Sequence, residues 1–164
     1  MKAVIALVAA VVLVGAAALL FLRDRTPVLR AEEVEAARAR WDENGPRDYN
    51  LTLLKEIDAR PPERIETEVR SGKTTRLVVN GTDLGPRGSY DVPALLDTAA
   101  RELEMAGSTS PRPGEPRGAT LKASFHEKLG VPLVLKRIAP GKQSYVLRVE
   151  RVQTPEGGVI WEQK

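Results

Sequence analysis

Few residues in this chain are able to do chemistry. His126 is the single histidine, and there is no cysteine. Without thiols there are no disulfides, thiolate metal sites or cysteine nucleophiles, and no lipid is attached through cysteine. A metal site at His126 needs carboxylates that converge on it. Glu127 follows directly and points elsewhere on a strand or turn, so His126 reads as a solvent-facing or loop histidine. A serine triad would have to join His126 to Ser89 or Ser124, and no Gly-x-Ser-x-Gly elbow is present. Glu32/Glu33 and Glu102/Glu104 are paired carboxylates, but they fall on what read as polar helix faces, where solvation explains them. Gly85-Pro86-Arg87-Gly88 offers backbone amides to an anion. However, proline removes one donor and no phosphate-loop lysine follows, so the segment reads as a loop. Leu129-Gly130-Val131-Pro132 reads as a tight turn, with glycine supplying an unusual backbone angle and proline opening a strand. No catalytic, cofactor-binding or metal residue is therefore assigned, no cofactor is expected, and the chain is not expected to be an enzyme.

The elements that must carry these residues follow from periodicity. Val34, Ala37 and Trp41 fall on one face of a helix over residues 31–43, which Asn44-Gly45-Pro46 stops. Tyr49, Leu51 and Leu53 alternate along a first strand, residues 49–57. Trp41 and Tyr49 thus flank a helix–strand junction and are expected to pack it. Strands at 65–70 and 74–80, joined by Ser71-Gly72-Lys73, form a hairpin, and Asn80-Gly81 signals a turn. Residues 81–91 read as a loop. Asp91 caps a second helix over 92–105, whose stripe is Val92, Leu95, Leu96, Ala99 and Leu103. A proline-rich loop at 107–118 leads to strands at 119–125, 131–139 and 143–152, with a turn at Pro140-Gly141-Lys142. The fold class expected is α+β: an N-terminal transmembrane helix, then helix-βββ-helix-βββ, with an antiparallel sheet packed against the helices. The domains expected are an anchor at 1–25, one α+β domain at 26–154, and a tail or short edge strand at 155–164. The repeated order is compatible with a duplication.

The anchor rests on residues 3–22, twenty consecutive uncharged positions. At about 1.5 Å per residue they span about 30 Å, one hydrocarbon core. A cleaved signal peptide competes with this reading, with Lys2 before the apolar run and Ala16 or Ala18 before the cut. The run continues without a polar region to Arg23-Asp24-Arg25, which favours a retained single-pass anchor in the inner membrane. The flanking arginines pull the domain towards the cytoplasm. The resemblance of the segment to an export signal pulls it outside, and the outside is favoured.

Charge is balanced: 25 Lys+Arg against 22 Asp+Glu, a net +3. The two signs interleave and form no basic run, which argues against nucleic acid. Aromatics make up 4% of residues, too few for base-stacking or sugar-binding platforms.

Trp41 with Tyr49 eight residues on, Val79-Asn80-Gly81, Tyr90-Asp91-Val92 before Leu95-Leu96, Phe125, and Leu129-Gly130-Val131-Pro132 occur in an order that resembles an uncharacterised bacterial family. Its members are small envelope proteins and lipoproteins, grouped as a domain of unknown function. The resemblance covers residues 36–150. It implies an α+β fold and an exported domain, and it implies no activity. Family members often carry Cys-x-Cys after the tyrosine, where Leu54-Lys55-Glu56 stands here. They also carry acidic residues where Lys136, Arg137 and Lys142 stand. The function expected is a membrane-anchored, non-catalytic binding domain that contacts an envelope protein partner. The alternative is an inhibitor-like or small-ligand-binding module outside the cytoplasm.

Overall fold

The computed structural model describes residues 26–86, 90–107, 119–139 and 143–163. Helix α1 spans Ala31–Asn44 and buries Val34, Ala37 and Trp41, the stripe its periodicity predicts. The Arg30 N–H donates to the Glu33 carboxylate at 2.9 Å, which closes the first turn. Gly45 follows, and its N–H donates to the Trp41 carbonyl at 2.7 Å. Strand β1 is Tyr49–Ile57, β2 Glu63–Arg70, β3 Lys73–Val79 and β4 Thr82–Gly85. Helix α2 is Val92–Gly107, and β5 Thr120–Phe125, β6 Pro132–Ile138, β7 Tyr145–Gln153 and β8 Val159–Glu162 complete the order.

All eight strands form one antiparallel sheet with the order β4-β3-β2-β1-β7-β6-β5. β1 takes one edge of β7 along its whole length. On the other edge, β6 pairs with Tyr145 to Arg148 and β8 pairs with Arg151 to Gln153, so β8 continues the line of β6. Residues 27–29 lie antiparallel against the outer edge of β5. The Leu29 N–H donates to the Leu121 carbonyl at 2.9 Å and the Ala123 N–H to the Pro27 carbonyl at 3.1 Å.

One face of the sheet is covered by the helices and carries the core. Its rows are Tyr49, Leu51 and Leu53 on β1, Ile65, Thr67 and Val69 on β2, Leu121 and Ala123 on β5, and Leu147 and Val149 on β7. Tyr49 ties the layers together. Its ring meets Trp41 edge-on at 5.2 Å, and its hydroxyl accepts the Val92 N–H at 3.0 Å at the start of α2. Asp91 caps the same helix by accepting the Ala94 N–H at 2.9 Å, and it takes the Thr74 hydroxyl at 3.0 Å.

Two expectations are corrected. The helix-βββ-helix-βββ order is replaced by four strands after each helix, and the fold is mostly β. The strand that the sequence hides is β4. Asn80 at φ 49° and Gly81 at φ 82° make a mirror-type turn that returns the chain onto β3, pairing Thr82 with Val79. Residues 82–84 are exposed, so no alternation of apolar side chains announces the strand. The expected transmembrane helix is also corrected: among the described residues no helix is long and apolar enough to cross a membrane. The longest, α2, has 16 residues, about 24 Å at 1.5 Å per residue, and carries Arg101, Glu102 and Glu104. Residues 3–22, which carried the expectation of a membrane location, lie outside the described residues, and the membrane placement goes with them.

Candidate functional site

The core face is not apolar along its whole length. On β1 the inward positions run Tyr49, Leu51, Leu53 and then Lys55. Register places Lys55 between Glu63 on β2 and Leu147 on β7. In the next row, Ile57 pairs with Tyr145, and Tyr145 with Arg137 on β6. Above this end of the sheet, α2 presents Leu95, Thr98 and Glu102, positions i, i+3 and i+7 of one helix face. Four charged residues thus stand where the fold elsewhere puts leucine and valine. Polar residues at core-facing positions weaken a fold unless they are paired, and such exceptions mark functional sites.

The pairing is specific. The Lys55 ammonium meets the Glu63 carboxylate at 3.1 Å and donates to the Tyr90 hydroxyl at 3.1 Å. Burial works against its charge, but these two partners outweigh it, so Lys55 keeps its proton above the ordinary lysine range. Glu102 meets Arg137 at 3.3 Å, and the two side chains are only 14% and 16% exposed. The Tyr145 hydroxyl is buried beside the Glu102 carboxylate. Burial, and then the neighbouring Glu102 carboxylate, push its phenol well above the usual range. Between these groups lies a cleft of 450 Å³ bounded by Lys55, Tyr90, Leu95, Glu102, Tyr145 and Leu147. The volume lies in the range of small-molecule sites, and the walls mix apolar surface with a few convergent polar groups, as such sites do.

The opposite face of the sheet is open and dense in charge. Arg64 bridges Glu66 at 3.2 Å and Glu150 at 2.9 Å, and Arg76 bridges Glu68 at 3.0 Å and Asp83 at 2.7 Å. Arg148 pairs with Glu56 at 3.4 Å and Arg151 with Glu162. Arg64 and Glu66 lie along one strand, Arg64 reaches Glu150 across β1, and the other pairs join adjacent strands. A hollow of 440 Å³ among Arg64, Arg148 and Arg151 opens on this face, but its walls are solvent-exposed ion pairs.

No family model matches the chain, and no curated protein or solved structure matches it either.

The residues weighed from the sequence fall outside the cleft, with one exception. His126 belongs to a turn: its Nδ1 accepts the Leu129 N–H at 3.1 Å, and its ring lies edge-on to Trp161 at 6.4 Å. Among the described residues no group of His, Asp and Glu is placed to hold a metal ion. Ser124 lies on the opposite side of β5 from Leu121 and Ala123, while Ser89, Arg87 and Gly88 lie outside the described residues. Gly85 ends β4, and Glu127 is exposed. Glu33 caps α1 and Glu32 pairs with Arg30 at 3.8 Å. Leu129-Gly130-Val131-Pro132 forms a turn in which Gly130 has φ 72° and lies against α1. The exception is Glu102. It does not share a solvated face with exposed Glu104 but turns inward to Arg137. Lys55, Glu63, Tyr90, Arg137 and Tyr145 were not singled out as a site. The detectable signal was Lys55, which continues the inward series Tyr49, Leu51, Leu53.

Proposed function

We propose that this protein is a non-catalytic binding module that takes a small ligand in the cleft between α2 and the sheet. One observation carries the reading: charged side chains occupy inward positions beside a 450 Å³ space instead of filling it with core. A core built for stability alone would place leucine there, since a buried ion pair contributes no more than well-packed apolar residues. Docking of a protein on the open face has weaker support, because the ion pairs there stand in water, where such pairs are ordinary surface features and contribute little.

The test is a fragment screen by ¹⁵N-correlation NMR. Binders are expected to shift the amides of Lys55, Tyr90, Thr98 and Tyr145, and to lose that effect in Thr98→Trp, which fills the cleft from the helix side. The spectrum of the variant reports whether it is folded. A library that leaves these amides unmoved, or binding unchanged in a folded Thr98→Trp protein, refutes the proposal.

A further inference from the structure

We infer that the ligand of this cleft is a zwitterion of dipeptide size, with its carboxylate at the Lys55 end and its ammonium at the Glu102 end. The inference rests on the cleft being the ligand site. Each of the two ion pairs turns one sign inward. Lys55 borders the cleft and its partner Glu63 does not, while Glu102 borders it and its partner Arg137 does not. The space therefore has a cation at one end and an anion at the other. A dianion would meet Glu102, and a dication would meet Lys55. A neutral ligand would cover both charges without replacing the water they lose.

The hydroxyls agree with this polarity. Tyr90 accepts from the Lys55 ammonium, so its own O–H proton remains to be donated to a carboxylate. The Tyr145 oxygen lies beside Glu102 and is able to accept from an ammonium. Leu95 and Leu147 line the span between the ends and suit an aliphatic side chain.

Size follows from register. Lys55 is on β1 and Arg137, which marks the Glu102 end, is on β6, two strands away across β7. Arg137 also lies one row, two residues, beyond the row of Lys55, so about 10 Å across the strands and about 7 Å along them combine to about 12 Å. A dipeptide spans about 7 Å, and a hydrogen bond of about 2.9 Å at each end brings its reach to about 13 Å, enough to cross. The charges of a free amino acid are too close together to reach both ends.

The experiment titrates the full chain by calorimetry with leucyl-glycine, N-acetyl-leucyl-glycine and leucyl-glycinamide. The parent dipeptide is expected to bind, and each blocked form to bind at least about tenfold more weakly, the loss of one charge-assisted hydrogen bond. Lys55→Met should erase the penalty for blocking the carboxylate, and Glu102→Gln the penalty for blocking the amine. Equal affinity for all three compounds overturns the zwitterion while leaving the cleft a binding site. Absence of dipeptide binding, with fragments of another charge type shifting the cleft amides, also overturns it. If no fragment occupies the cleft, the binding reading itself fails.

Discussion

Gly72 and Gly130 share a backbone angle, φ 72°, but not an environment. A Cβ on Gly72 has nothing within 4 Å, whereas one on Gly130 would lie 2.0 Å from the Ala37 carbonyl oxygen of α1. Gly72→Ala therefore measures the left-handed backbone alone, about 1–2 kcal/mol. Gly130→Ala adds a collision. An ordinary carbon–oxygen contact is about 3.3 Å, so α1 and the turn must separate by about 1.3 Å. Ala37 is fully buried, which leaves the helix no slack. Overpacking of this kind costs about 1–3 kcal/mol, so Gly130→Ala should lose about 2–5 kcal/mol in all. Against a total stability of about 5–15 kcal/mol, that is a large share. Urea unfolding of both variants, with the denaturant slope unchanged, gives the two numbers. If Gly130→Ala lies within about 0.5 kcal/mol of Gly72→Ala, the argument that this turn is pressed against α1 is wrong.

Three further outcomes are expected. Trp41→Ala should cost about 3–5 kcal/mol in thermal unfolding, because the ring is 7% exposed and packs on Tyr49; no change in melting temperature would contradict that packing. Tyr49→Phe should cost about 1–3 kcal/mol by leaving the Val92 N–H unpaired, and hydrogen exchange at that amide should accelerate. Tyr49 and Tyr145 both hold their protons more tightly folded than unfolded, Tyr49 chiefly through burial. Their contribution is whole below about pH 10, the unfolded phenol value, and is lost as pH rises above it, at about 1.4 kcal/mol per pH unit each. Urea midpoints between about pH 9 and 11 should fall less steeply in either Tyr→Phe variant, and an unchanged slope in both would refute the assignment. Lys55→Met should change stability by less than about 1 kcal/mol, since its ion pair is partly exposed, while impairing ligand binding.

Much of the scaffold was legible. Strand β1 and the buried faces of α1 and α2 follow from periods of 2 and 3.6, because each element buries one side. Asp91 was legible as a cap because its carboxylate and the following proline both suit a first turn. β4 was not: its side chains face water, and only the Asn80-Gly81 turn reveals that the chain doubles back. The cleft was half visible. Lys55 breaks an inward series, and Glu102 lies seven residues after Leu95 on an apolar stripe, so each carried a local signal. That Glu102 meets Arg137 depends on α2 lying across β6, a tertiary fact with no counterpart in local periodicity.

The junction of β1 with β7 sets how the chain has to assemble. Ile57 pairs with Tyr145 and Asn50 with Gln153, so the middle of the sheet closes a loop of roughly ninety to a hundred residues. The hairpins on either side need only their own turns and are able to zip locally. The central seam waits for both, and closing so long a loop is the entropically costly step. Lys55 and Leu147 are partners in that seam. The floor of the cleft therefore does not exist in either half of the chain alone, and it is complete only once the two halves have joined.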